Sequence, residues 1–278
     1  MVTKRDYTEE AVNAARSVLV ELMHLLGEYR EDIVVVGGWV PELLFGQEED
    51  PHVGSIDIDL ALNHVQLKDE GYKSIQKLLL DRGYVQGRQP FIFHRKVPVD
   101  AGEIDVEVDL LSGEYEGTGK SRRHQKVQEG VARKARGCDL AFIRPVILTV
   151  QGILPGGAKD SAEIRVASIV PFLVMKGMAL DDRLKEKDAW DIYYCLKHYG
   201  GGLDGLVKEI EPYLKHGLVI EGLQKIAEHF ATEEHTGPKH VADFEELTDP
   251  EEREIRERDA FERVNHILQK LGIEPPSR

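Results

Sequence analysis

The chain has 278 residues, 41% of them hydrophobic and 31% charged, with a formal net charge of −14. That apolar content over that length sustains one or two buried cores and excludes global disorder, while the acidic total excludes a protein that coats nucleic acid indiscriminately. Two distant cysteines, Cys138 and Cys195, make no disulfide framework, no run approaches the roughly 18 apolar residues of a membrane span, and the charged start MVTKRDYTEEAV is no secretory leader, so a cytoplasmic location is expected.

In chain order, residues 8–29 carry Ala11, Ala15, Val18, Leu22, Leu25 and Leu26 at helical spacing. Thr8 is the expected N-cap, with Glu9 and Glu10 favouring the first turn. Ile33–Val36 is β-branched and wholly apolar, a buried strand. Gly37-Gly38 follow, then a helix start at Trp39-Val40-Pro41, a loop over 46–54, and a second strand, Ser55–Leu62. Lys73–Leu80 reads as a helix ending near Gly83, and FIFHRKV and EIDVEVDLL within 91–111 as strands. Residues 119–137 are strongly basic, with a solvated surface loop or helix as their plain reading; strands return at Phe142–Val150 and 163–167. From Ser168 the pattern turns helical to about Gln269. The expected architecture is α+β: a mixed sheet flanked by helices over residues 1–165, then a helical domain over 166–278.

The chemistry concentrates where Gly37-Gly38 precede Asp57-Ile58-Asp59. Alternation in a strand points Asp57 and Asp59 the same way. Two carboxylates so close repel each other unless a cation lies between them, and Mg²⁺ held by carboxylates and substrate phosphates meets that need. The glycine pair allows backbone to approach phosphates, and the helix behind it offers N–H donors. A third carboxylate is sought in Glu103–Asp109, where Glu103, Asp105, Glu107 and Asp109 share a face; Asp109, among apolar neighbours, is the first choice and Glu107 the second. Its roles would be metal ligand and acceptor for the proton of an attacking hydroxyl.

VVVGGWVPELLFG and SIDIDLAL resemble the Gly-Gly and Asp-x-Asp motifs of the polymerase-β-like nucleotidyltransferase superfamily. Lys176-Gly-Met-Ala through Arg183, Lys187-Asp188 and Asp191-Ile-Tyr193 resembles the lysine- and aspartate-bearing helices of the AbiEii/AbiGii toxin-like nucleotidyltransferases. The resemblance implies transfer of a nucleoside monophosphate from a nucleoside triphosphate, with Mg²⁺ as cofactor and an antitoxin protein as partner. It implies functional roles for Gly37, Gly38, Ser55, Asp57, Asp59, Lys176, Arg183 and Asp188: Lys176 neutralises triphosphate charge, Asp188 orients Lys176 or the acceptor, and Arg183 joins the nucleotide-binding set. Asp191 is expected to pair within its helix, with Lys187 or Arg183.

The chain departs from the resemblance at three points. Trp39 stands where many relatives carry serine, so a hydroxyl contact to the phosphates is either lost or supplied by Ser55. The loop contains Glu48, Glu49 and Asp50, which would repel a triphosphate. No arginine precedes Asp-x-Asp; His52 is nearest and reads as a surface histidine.

The acceptor is sought in GKSRRHQKVQEGVARKARG, seven Lys or Arg against one Glu, which suits RNA phosphates. The alternatives are a small-molecule acceptor of the aminoglycoside type, since Gly-Gly-Trp also resembles those enzymes, and a non-catalytic nucleotide-binding relative.

Overall fold

The computed structural model describes residues 3–46, 49–63, 66–67, 69–100, 102–113, 124–127 and 130–275. The chain divides into two compact units, one of Tyr7–Leu43 with Gly54–Ser168, the other of Met1–Asp6, Leu44–Val53 and Ile169–Arg278.

The first unit is built on a sheet. Helix α1 spans Glu9–Leu25, and the Thr8 hydroxyl caps it by accepting the Ala11 N–H at 3.2 Å. Strand β1 is Ile33–Val36, buried throughout. Helix α2 (Trp39–Phe45) follows the Gly37-Gly38 turn, and β2 is Asp57–Leu62. Then come α3 (Asp69–Asp81), β3 (Val85–Gln86), β4 (Ile92–Val99), β5 (Gly102–Ser112), β6 (His124–Val127), β7 (Gly130–Lys134), β8 (Val146–Ile153) and β9 (Lys159–Val166). The main path runs β3-β4-β5-β2-β1-β9-β8, and the β6–β7 hairpin joins it through β7, which pairs with β5.

The sheet is mixed: β1 is antiparallel to β2 but parallel to β9, and β2 is parallel to β5. Ile58, Leu60, Val108 and Leu110 are fully buried on one face, each contributing about 1.5–3 kcal/mol of burial. Helix α1 lies along β8, β9, β4 and β5. Its Glu21, 3% exposed, receives Arg82 at 2.9 Å, Tyr84 at 3.0 Å and Arg95 at 3.0 Å. Burial opposes that charge, but the donors outweigh it and hold Glu21 below its ordinary pKa.

The basic segment is where sequence and structure differ most. Its composition hid β6 and β7, because lysine and arginine mask the alternation a strand normally shows.

The second unit is helical: α4 (Ile169–Arg183), α5 (Glu186–His198), α6 (Gly202–Ile210), α7 (Gly217–His229), α8 (Thr236–Phe244) and α9 (Pro250–Leu271). Helices α4 and α7 meet glycine to glycine. A Cβ on Gly177 would lie 2.3 Å from the Gly222 carbonyl oxygen, so a larger residue would force the helices apart. Asp249 caps α9 by accepting from Glu251 and Glu252, and Gly272, at φ 65°, ends it. Among the described residues no helix is long and apolar enough to cross a membrane.

Candidate active site

In the sheet unit, register assembles the acidic face. Val36 pairs with Asp59 across β1–β2, and Asp57 and Asp59 pair with Glu107 and Asp109 across β2–β5. Residues opposite one another in register, and residues two apart in a strand, share a face. Asp57, Asp59, Glu107 and Asp109 therefore stand together. Asp57 is exposed, Asp59 and Glu107 are half-buried, and Asp109 is 4% exposed.

Gly37 closes down on this face. At φ 69°, a Cβ there would sit 1.9 Å from Asp59 Oδ2. Only glycine tolerates both that backbone and that contact. Gly38 is buried beside it in the same turn.

Two further residues fix Asp57. The Ser55 hydroxyl donates to Asp57 Oδ1, and the Trp39 indole N–H donates to the Asp57 carbonyl at 2.8 Å. Trp39 is fully buried, with the Arg16 guanidinium 5.4 Å from its ring centre. Trp39 thus anchors the first residue of β2.

Asp109 is held differently. Its Oδ2 accepts from Arg133 Nη1 at 2.8 Å, while Oδ1 is buried with no hydrogen-bond partner among the described residues. Burial pushes its pKa up to about 6; Arg133 pulls against burial, and Glu107 and Asp57 add to it. Sequence reasoning assigned Arg133 to acceptor steering and missed this contact. The only signal for it was a basic residue returning soon after the third-carboxylate strand.

Among the described residues no group of three or more His, Cys, Asp or Glu side chains is arranged to hold a metal ion. The donor chemistry nevertheless suits a hard cation: carboxylate oxygens on one face, one of them buried and idle.

The helical unit holds the remaining residues. Asp188 and Asp191 lie one turn apart on α5, and Lys176 of α4 reaches both, at 2.7 Å and 2.6 Å. Arg183 grips Asp188 with Nε at 2.7 Å and Nη2 at 2.9 Å. Lys187 binds Asp191 at 2.9 Å and 3.2 Å. The expected Lys176–Asp188 and Lys187–Asp191 pairings are both present, and Arg183 serves Asp188. Burial opposes all these charges, yet the ion pairs win: Asp188 falls to about 2, Asp191 falls further, and Lys176 rises above its ordinary range.

His52 is not the surface histidine expected. Its side chain is wholly buried, stacked on Trp190 at 4.9 Å and edge-on to Tyr194 at 4.9 Å. Burial, and then Lys187, lower its pKa to about 4 against the pull of Asp191. The ring is therefore neutral at pH 7, and its Nε2–H donates to Asp191 Oδ1 at 2.9 Å. Asp50, from the acidic loop, pairs with Lys197 at 3.1 Å, and its carbonyl accepts from the Tyr194 hydroxyl at 3.0 Å. Of the basic segment, Arg133, Lys134 and Arg136 are described; Lys120, Arg122, Arg123 and the side chain of Lys126 lie outside the described residues, as does Glu48.

No family model and no curated relative matches the sequence. Two crystal structures resemble the chain, both from Helicobacter pylori. One is of JHP933, 14% identical with a TM-score of 0.41, covering 95% of this chain and 94% of that one. The other is described as a "putative nucleotidyltransferase", 14% identical with a TM-score of 0.41, covering 92% of this chain and 96% of that one. A likeness of this degree assigns neither family nor activity.

Proposed function

We propose that the chain is a metal-dependent nucleotidyltransferase acting on an RNA acceptor. One observation carries this reading: Asp59 and Asp109 stand opposite each other in parallel strands, with Asp57 two residues away and Gly37 pressed against Asp59. Asp57, Asp59 and Asp109 would hold Mg²⁺, which supplies positive charge against a triphosphate. The acceptor oxygen attacks the α-phosphorus, the bond to pyrophosphate breaks, and the hydroxyl proton passes to Asp109. Ser55 and Trp39 keep Asp57 in place.

In the helical unit the Arg183 side chain is 38% accessible against 8% for Lys176. Lys176 acts through Asp188, keeping it ionised and fixed so that Asp188 presents Arg183. The RNA acceptor is favoured by the basic composition of residues 119–137, of which Arg133 and Lys134 of β7 pair alongside β5.

The test is incubation with each labelled nucleoside triphosphate, Mg²⁺ and total RNA. Labelled RNA from the wild type and none from Asp57→Asn supports the proposal. Label on a small molecule alone would replace RNA by that class, and no label anywhere would leave a nucleotide-binding relative. The toxin–antitoxin setting implied by the sequence resemblance predicts growth arrest on expression of the wild type and none with Asp57→Asn.

A further inference from the structure

A sheet that does not close on itself ends in edge strands, and each edge exposes a row of unpaired N–H and C=O groups. Along the main path of this sheet the two ends are β3 and β8. Strand β3 is two residues long, too short to recruit another strand. Strand β8 is eight residues long, and among the described residues no strand pairs with its outer side. Its sequence, VILTVQGI, contains no charge and no proline, in a chain that is 31% charged. Open edges are ordinarily guarded by lysine, proline or a bulge. Strand β8 has no bulge either: it pairs with β9 residue for residue from Val146 to Ile153.

Ile147, Thr149, Gln151 and Ile153 alternate along β8 and share one face. All four are exposed there, the isoleucines at 61% and 56%. Val150, on the other face, is buried and lies midway among them. The exposed residues are symmetric about it, with an isoleucine at each end and an uncharged polar residue next to it on each side. A second β8 running antiparallel, with Val150 opposite Val150, therefore sets Ile147 against Ile153 twice and Thr149 against Gln151 twice. Every exposed residue of the strand meets one of its own polarity. Slippage by two residues would set Ile147 against Gln151, or Ile153 against Thr149, and lose that match.

We propose that β8 pairs with β8 of a second copy of this chain, antiparallel and centred on Val150, so that two sheets become one through an isologous twofold contact. Backbone groups that otherwise face water bond across the seam, and the two isoleucine pairs leave water together. The twofold axis stands perpendicular to the sheet, so both copies keep the same face on the same side. That face is the acidic one. Val36 shares a face with Asp59 and Val35 shares the other with Val166, so Arg165 and its cross-strand partner Ile147 fall on the side of Asp59. The joined sheet thus carries both acidic faces on one side. One strand pair makes a small interface, and a dissociation constant of about 10 μM is expected. The pairing requires no part of the nucleotidyl-transfer reading.

The test is sedimentation velocity on the full chain from about 1 μM to about 100 μM, for the wild type and two double variants. One carries Ile147→Lys with Ile153→Lys, the other Ile147→Glu with Ile153→Glu. The wild type should pass from monomer to dimer across that range. Each double variant should dimerise at least about 100-fold more weakly, because like charges then face each other across the seam. A one-to-one mixture of the two should dimerise again, since each lysine then faces a glutamate. The melting temperature should not change, because both positions are exposed. If a double variant does not fold, Thr149→Lys decides alone: it puts a charge in the middle of the seam and should also abolish the dimer. A wild type that stays monomeric up to about 100 μM overturns the second copy as occupant and leaves the edge to a strand of another protein. A dimer that survives the lysine substitutions lies on another surface and overturns the proposal. Double variants that stay monomeric when mixed overturn the register centred on Val150.

Discussion

Replacing Lys176 by methionine keeps the length and apolar stem of the side chain and deletes one buried charge. In the wild type that ammonium lies 2.7 Å from Asp188 and 2.6 Å from Asp191, carboxylates whose side chains are 2% and 0% exposed. Removing one partner of a buried ion pair typically costs about 3–5 kcal/mol, since the remaining charge is stranded. Arg183 still serves Asp188, and Lys187 and His52 still serve Asp191, so the lower end, about 3 kcal/mol, is expected. At about 2–4 °C per kcal/mol, melting should fall by about 6–12 °C at pH 7.

The pH dependence adds a second signature. Asp188 titrates at about 2 in the folded chain, below the 3.8 of an ordinary aspartate. A depressed carboxylate stabilises the fold above its unfolded pKa and loses that contribution as pH falls through the folded one. The wild type should therefore lose about 2 kcal/mol from this group between pH 4 and pH 2. In Lys176→Met the loss should begin at higher pH, because Asp188 is then held less strongly. Thermal melts followed by circular dichroism across pH 2–8 read both effects. A variant that melts within about 1 °C of the wild type at pH 7, less than one weak surface pair would give, refutes the reasoning.

Gly37→Ala should destabilise the chain by about 2 kcal/mol or more and abolish transfer, because the added carbon meets Asp59 at 1.9 Å and φ is 69°; chemical denaturation and labelled transfer check it. Asp57→Asn should lower transfer at least about 100-fold while leaving the melting temperature unchanged, since the residue is exposed. Trp39→Phe should cost about 1 kcal/mol through loss of the indole bond to the Asp57 carbonyl and reduce transfer further than its stability loss explains. For His52 the sign runs the other way from a paired histidine. Its folded pKa of about 4 lies below the ordinary 6.5, so its contribution is full above pH 6.5 and about 3 kcal/mol is lost as pH falls to 4. His52→Gln should flatten stability over that window, and an unflattened curve would show that another group titrates there.

The sheet and its acidic face were readable because their signals are local. Ile33–Val36 is a strand from its own composition, and Asp57 and Asp59 share a face by alternation alone. Alternation could not choose between Asp109 and Glu107, because both point the same way. Burial separates them, and burial follows from where β5 meets its neighbours: Asp109 lies at the end of the β4 pairing, where β7 takes over. The position of β7 was itself illegible, its alternation hidden under lysine and arginine. The same limit explains His52. Nothing near it in sequence shows that Asp191, 139 residues away, is its hydrogen-bond partner. Yet the pairing follows from a physical requirement the sequence does contain. Asp188 and Asp191, among Ala189, Trp190, Ile192 and Tyr193, lie on a helix buried almost all round, and buried carboxylates must be matched. Lys187 and Arg183 are within reach along the chain, but two carboxylates offer more lone pairs than those two cations fill. The missing donors had to come from elsewhere, and Lys176 and His52 supply them.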